Sequence, residues 1–150
     1  MTYALALPVL AAHLVTVGAA LSRPILDVRQ GEPPTVAAPL IWYAYQGDRE
    51  STTGGNTLGK TNIEEGLEVG VSWPINDPSR TDRTPLESLV YEAKAAIKAR
   101  LWGDVTLGGN CIGLDVGDAA TEYGVIDGAL IRTLRIPVWI DLPFVDDIAL

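Results

Sequence analysis

Cysteine and histidine occur once each in the 150 residues, as Cys111 and His13, and that scarcity removes much possible chemistry. A single cysteine cannot form an intrachain disulfide, and the two residues together cannot build a Cys/His zinc cluster. A Cys-His or Ser-His-Asp nucleophile system would have to recruit His13, which lies in an apolar N-terminal segment and reads as a satisfied histidine on a helix. Positive charge is also sparse: 11 Lys and Arg stand against 19 Asp and Glu, a formal charge of −8. Such a chain repels a phosphate backbone at long range, which argues against a nucleic-acid reader. An acidic surface can still line a channel that DNA traverses without adhering. No lysine or arginine precedes Arg23, so the apolar run 4–21 lacks the basic flank of an export signal, although its length reaches the lower edge of a membrane span. Pro8, His13, Thr16 and Gly18 dilute it, and the expectation is an amphipathic helix of a soluble protein made in the cytoplasm, with a membrane-tethered domain as the competing reading.

What is present is the balance of a folded protein, with 47% hydrophobic and 20% charged residues. The length suits one domain over residues 1–150 with one sizeable core. No solenoid-type repeat or low-complexity segment interrupts it.

A first helix is expected over residues 9–21, with Pro8 at its first position and Leu10, Leu14, Val17 and Leu21 at helical spacing. Residues 25–28 are short and extended at best, and Pro33 and Pro34 sit in a turn-rich connector. Residues 36–46, rich in aromatic and aliphatic side chains, form the first long strand. Residues 48–62 are almost wholly polar and read as an exposed, mobile loop. The alternation over 63–73 predicts a strand with Leu67, Val69, Val71 and Trp73 inward and Glu64, Gly66, Glu68, Gly70 and Ser72 on a wet face.

A polar linker over 76–84 leads to Thr84-Pro85-Leu86-Glu87, a helix start with a capping threonine, a proline at the first turn and a glutamate completing a capping box. The helix runs to Leu101 on an apolar stripe of Leu86, Leu89, Val90, Ala93, Ile97 and Leu101, with Lys94, Lys98 and Arg100 toward the negative end of its dipole. A short strand is expected over 110–116, a loop over 117–128 with an irregular strand near 123–126, and a last strand over 129–142, in which Pro137 argues for an edge or a bulge. Residues 143–150 form a tail. The order α-β-β-α-β-β predicts an α+β fold, an antiparallel or mixed sheet with helices packed on one face.

Gly54-Gly55-Asn56-Thr57-Leu58-Gly59-Lys60-Thr61 satisfies the written form of a phosphate-binding loop. A working loop of that kind joins a buried strand to a helix N-terminus. Here the preceding residues are polar and the following ones alternate as a strand, so nucleotide binding is the minority reading and a solvated hairpin loop the favoured one. The apolar run ending at Asp141 adds little, because such patterns are common at strand ends. Asp115, Asp118, Glu122 and Asp127 lack EF-hand spacing and read as solvated acids. Trp42, Trp73, Trp102 and Trp139 read as core or interface anchors. No cofactor, metal or catalytic residue is assigned.

The aromatic strand Leu40-Ile41-Trp42-Tyr43-Ala44-Tyr45, the polar loop after it and the alternating strand from Gly66 to Trp73 follow the N-terminal helix. After them come the helix to Leu101, the acidic stretch 115–127 and the closing strand from Ala129. In this organisation the chain resembles the tail terminator proteins of long-tailed bacteriophages with flexible tails. The resemblance covers nearly the whole chain and rests on no single diagnostic motif. It implies a virion structural protein and not an enzyme, a homo-oligomer forming a hexameric ring that caps the tail tube and joins it to a head-completion or connector protein. DNA would pass through the lumen without specific binding, and no membrane is involved. The protein would reside at the head-tail junction after assembly in the host cytoplasm. The resemblance assigns the long loop to contact, with Asp48, Arg49, Glu50 and Lys60 as candidate tail-tube or subunit contacts. A head-completion or neck protein is the nearest alternative, and a small P-loop-like nucleotide-binding protein the alternative from another class.

Overall fold

The computed structural model describes residues 1–50, 62–75 and 85–143. Two helices, α1 (Tyr3–Ala20) and α2 (Leu86–Trp102), pack on one face of a mixed sheet. Its strands are β1 (Val28–Gln30), β2 (Leu40–Glu50), β3 (Ile63–Pro74), β4 (Gly113–Val116), β5 (Ala120–Ile126) and β6 (Ala129–Leu142). The spatial order is β1-β2-β3-β6-β4, with β5 also paired to β6. The α+β arrangement expected from the sequence is present, with β1 and β5 added to the four strands foreseen.

α1 begins six residues before its expected start at residue 9. Thr2 caps it, its Oγ1 accepting from the Leu5 amide at 3.3 Å. Pro8 is therefore inside the helix, in its second turn, and not at the first position. It is tolerated because both it and Ala4, whose carbonyl loses a donor, are on the exposed side. The opposite side buries Ala6, Leu10, Leu14 and Val17. By length and composition α1 could cross a membrane, yet here that apolar stripe is part of the core with α2 and the sheet.

β3 and β6 form the centre. They pair antiparallel over twelve residue pairs, from Ile63 with Leu142 to Pro74 with Ile131. Leu67, Val69 and Val71 meet Leu134, Ile136, Val138 and Ile140 beneath the helices, and Ile41, Leu14, Ala93 and Ile97 complete that core.

The other face of β3 was expected to be wet, and it is not. Glu64, Gly66, Gly70 and Ser72 are all buried. The cause is aromatic cover from the flanking strands. A Cβ on Gly70 would lie 2.0 Å from the Trp42 ring, and one on Gly66 would lie 2.5 Å from the Trp139 ring. Each indole lies across the glycine opposite it, since Trp42 pairs with Gly70 and Trp139 with Gly66. Trp42, Leu40, Val36 and Ile131 make a second, smaller core on this side.

Three further expectations need correction. Residues 48–50 are the end of β2 and not loop, because β2 resumes pairing with β3 after a register shift between Tyr45 and Gly47, where Gly47 adopts φ of 112°. Residues 120–126, expected mostly as loop, are β5, hydrogen-bonded along β6 as a hairpin turning at Asp127 and Gly128. Pro137 is not at an edge: β6 is flanked on one side by β3 and on the other by β4 and β5. The Pro137 carbonyl accepts from Gly117, in the gap between β4 and β5. A residue's N–H and C=O point to the same strand edge, so the donor that proline lacks falls in this gap.

α2 starts at Leu86 with Pro85 as its N-cap and no side-chain cap bond. Thr84, the expected cap, is outside the described residues, as are the linker 76–84 and the tail from residue 144. Glu87 serves otherwise than in a capping box: its carboxylate accepts from Arg132 at 3.0 Å and from the Tyr123 hydroxyl at 3.1 Å, tying the helix start to β5 and β6. The Arg132 bond holds the Glu87 carboxyl below its usual range.

Candidate assembly surface

The sheet face away from the helices concentrates the charged side chains. Arg135, on β6, donates to Glu32 at 2.6 Å, Glu68 at 2.6 Å and Glu122 at 2.7 Å, joining the connector before β2, the central strand and the β5 edge. Its guanidinium also stands 5.3 Å from the Trp42 ring centroid. Burial alone would disfavour its charge, but hydrogen bonds to Glu32, Glu122 and Glu68 outweigh that cost and raise its pKa. One cation thus binds three carboxylates, leaving a local excess of negative charge.

Arg49 forms a second node. It donates to the buried Glu64, reaches Asp115 at 3.4 Å and lies 3.9 Å from the Trp139 ring centroid. Of the candidate contacts, Arg49 is therefore drawn back onto its own sheet. Asp48 and Glu50 flank it in β2 and are exposed, while Lys60 lies outside the described residues. Asp48 pairs with Glu65 across the strands, so both acids project to the helix side. There the Tyr45 hydroxyl donates to Glu65 at 2.7 Å, a bond that pushes the phenol up to about 12. The Tyr45 ring meets Tyr3 of α1 edge-on, with centroids 5.5 Å apart.

The residues with chemical potential are committed to structure. His13 joins the helices: its Nδ1 accepts from Arg100 Nε at 2.8 Å, and its Nε2 lies 2.7 Å from Asp104. With one nitrogen accepting, the other carries the proton toward the carboxylate, which defines the neutral Nε2–H tautomer. The Gly108 amide and then His13 hold the Asp104 carboxyl below its usual range. Cys111 is buried, and burial, reinforced by Asp104, pushes its thiol up to about 11. Among the described residues no group of three or more His, Cys, Asp or Glu is placed to hold a metal ion. Asp115 and Glu122, two of the acids considered for a cation, instead face Arg49 and Arg135.

The GxxxxGKT match falls within residues 51–61, outside the described residues, but its flanks are defined. Glu50 before it pairs antiparallel with Ile63 after it. The segment therefore connects two strands of a hairpin, without the helix N-terminus that would aim amides and a dipole at phosphate.

On the helix layer, a second surface was not foreseen. Tyr91 and Trp102 of α2 are exposed, with Lys94 Nζ 4.6 Å from the Tyr91 centroid and Lys98 Nζ 5.7 Å from the Trp102 centroid. The sequence signal existed, because residues 91, 94, 98 and 102 recur at helical spacing outside the apolar stripe.

No family model matches the sequence, and no curated protein matches it. Among solved structures, the chain is similar to the sheath/tube terminator of an extracellular contractile injection system, PVC, determined by cryo-EM in its extended state, with a TM-score of 0.53 and 13% sequence identity. The match covers 97% of this chain and 58% of that one. The two share a fold. This terminator-like fold takes in both helices and the whole sheet, so the Arg135 and Arg49 nodes and the α2 stripe all belong to the shared framework and not to an appended domain. The chain spans a little over half the length of the terminator it matches.

Proposed function

We propose that this chain is a tail terminator, a structural subunit that forms a ring on the end of a tail tube and stops its growth. The observation that carries the reading is the correspondence, over 97% of the chain, with the fold of a sheath/tube terminator. The chemistry agrees with it. The single histidine and single cysteine are locked in structural roles, and the charged side chains are spent on tying strands together. In this reading the ring is a hexamer in a long-tailed phage virion, its partners are the tail tube protein and a head-completion or connector protein, and it assembles in the host cytoplasm. Asp48, Arg49, Glu50 and Lys60, at and beside the β2–β3 connection, contribute tube or subunit contacts. With a net charge of −8, a lumen through such a ring repels DNA and lets it pass.

The test is to add the purified protein to tail tubes polymerising in vitro and to measure tube lengths by negative-stain imaging. Capped tubes of restricted length, bearing a ring at one end, are expected. Tubes that grow to the same lengths with and without the protein would refute the proposal.

A further inference from the structure

The α2 stripe and the end of β2 are opposite in charge and lie on opposite flanks of the molecule. Arg100 and Glu92 of α2 face α1, where they meet His13 and Ser22. By the helical period, Tyr91, Lys94, Lys98 and Trp102 are then on the side of α2 turned away from α1. Each lysine rests on an aromatic ring, and among the described residues neither has a carboxylate partner. This is unusual in a chain with eight more acids than bases, where Arg29, Arg49, Arg132 and Arg135 all bind carboxylates.

The complementary feature is on α1's flank. β1 pairs with β2 only at residues 41–43, so among the described residues the outer edge of β2 from Tyr45 to Glu50 has no neighbouring strand. Asp48 and Glu50 are exposed there, without an ion pair among the described residues, and Glu65 adds a third carboxylate beside Tyr45. An open strand edge invites cover. Aromatic residues such as Tyr91 and Trp102 anchor protein interfaces, while the flanking charges set register and partner choice.

We propose that the Tyr91/Lys94/Lys98/Trp102 face of α2 docks on the Asp48/Glu50 end of β2 in a second copy of this chain, joining copies head to tail. The proposal rests on the ring reading above and names the two surfaces that close the ring. Because the surfaces differ and lie on different flanks, the contact is heterologous, and repeating it generates a closed ring or a filament.

The experiment uses two full-length charge-reversed variants, Lys94→Glu/Lys98→Glu and Asp48→Lys/Glu50→Lys, each checked for native folding by circular dichroism. Native mass spectrometry and sedimentation velocity then read their oligomeric states alone and mixed. Wild type is expected to form a closed oligomer, each variant alone to remain monomeric, and an equimolar mixture to recover rings with an even number of alternating subunits. Wild-type rings that persist in both variants would overturn this contact while leaving the ring reading intact. A wild type that stays monomeric at every concentration, and on tube ends, would sink both. Retention of single-stranded DNA that depends on Lys94 and Lys98, with oligomeric state unchanged by their reversal, would reassign the stripe to nucleic acid.

Discussion

Gly70 shows how one residue can govern a sheet face. Without a side chain it lets the Trp42 indole lie flat across β3, where its Nε1 donates to Ser72 Oγ at 3.1 Å. Gly70→Ala places a methyl 2.0 Å from that ring, and the neighbour is a rigid indole in a fully buried position. A destabilisation of about 1–3 kcal/mol is expected, the range for overpacking, read as a lower urea midpoint with unchanged slope. Cys111 makes a second residue-scale prediction. An unfolded thiol titrates near pH ~8.5, whereas the buried one titrates at about 11. Between these values the unfolded chain gives up a proton that the native one keeps. Cys111 therefore costs no stability below the unfolded value, and stability falls as pH rises from there toward 11. At pH 8 iodoacetamide should label the folded protein more than about 100-fold slower than the urea-unfolded chain, since only the thiolate reacts. Equal labelling rates would contradict the burial of Cys111.

At the scale of elements, three kinds of tie hold the layers together. His13, Arg100 and Asp104 lock α1 to the end of α2, and Glu92 accepts from both the amide and the hydroxyl of Ser22 just past α1, at 2.6 and 2.7 Å. Glu87 ties α2 to the β5–β6 hairpin. Arg135 gathers the connector before β2, then β3, β5 and β6 on the far face. Removing that cation leaves three carboxylates converging on an empty centre. Arg135→Gln is expected to lose about 1–3 kcal/mol, within the range for hydrogen bonds to charged groups and short of a fully buried pair because the side chain is partly exposed. Added salt should restore part of the loss by screening the remaining repulsion. Chemical denaturation at low and high ionic strength checks this, and a loss insensitive to salt would show that Arg135 acts through packing alone.

For the whole molecule, the decisive property is asymmetry. The helices cover one sheet face, the aromatic and charged side chains cover the other, and the two flanks differ in charge. A subunit with unlike flanks suits rotational assembly, whereas a self-complementary patch would favour a two-fold dimer. The excess of acids opposes non-specific adhesion of DNA to the assembled object. Function on this reading is a matter of shape, edges and charge, which is consistent with a terminator-like fold in which no described residue is set up for acid-base or nucleophilic chemistry.

The α+β class, both helices and the four principal strands were legible in the sequence, because apolar spacing is imposed by the 3.6- and 2-residue periods of the backbone. Scarcity of cysteine and histidine was equally decisive from sequence alone, since no folding can supply missing ligands. The dry far face of β3 was not legible. Glu64, Gly66, Gly70 and Ser72 look like a solvated strand face until strand register brings Trp42 and Trp139 over the glycines and Arg49 against Glu64. β5 escaped notice for a related reason. It is exposed nearly throughout, so it carries no apolar alternation, and its order comes from hydrogen bonds to β6. The interior position of Pro137 likewise follows from a gap between two other strands, a fact about neighbours distant in sequence. Local periodicity thus determined which segments are helix or strand. Only tertiary pairing decided what lies opposite each residue, and hence which charges are spent within the subunit and which remain for a partner.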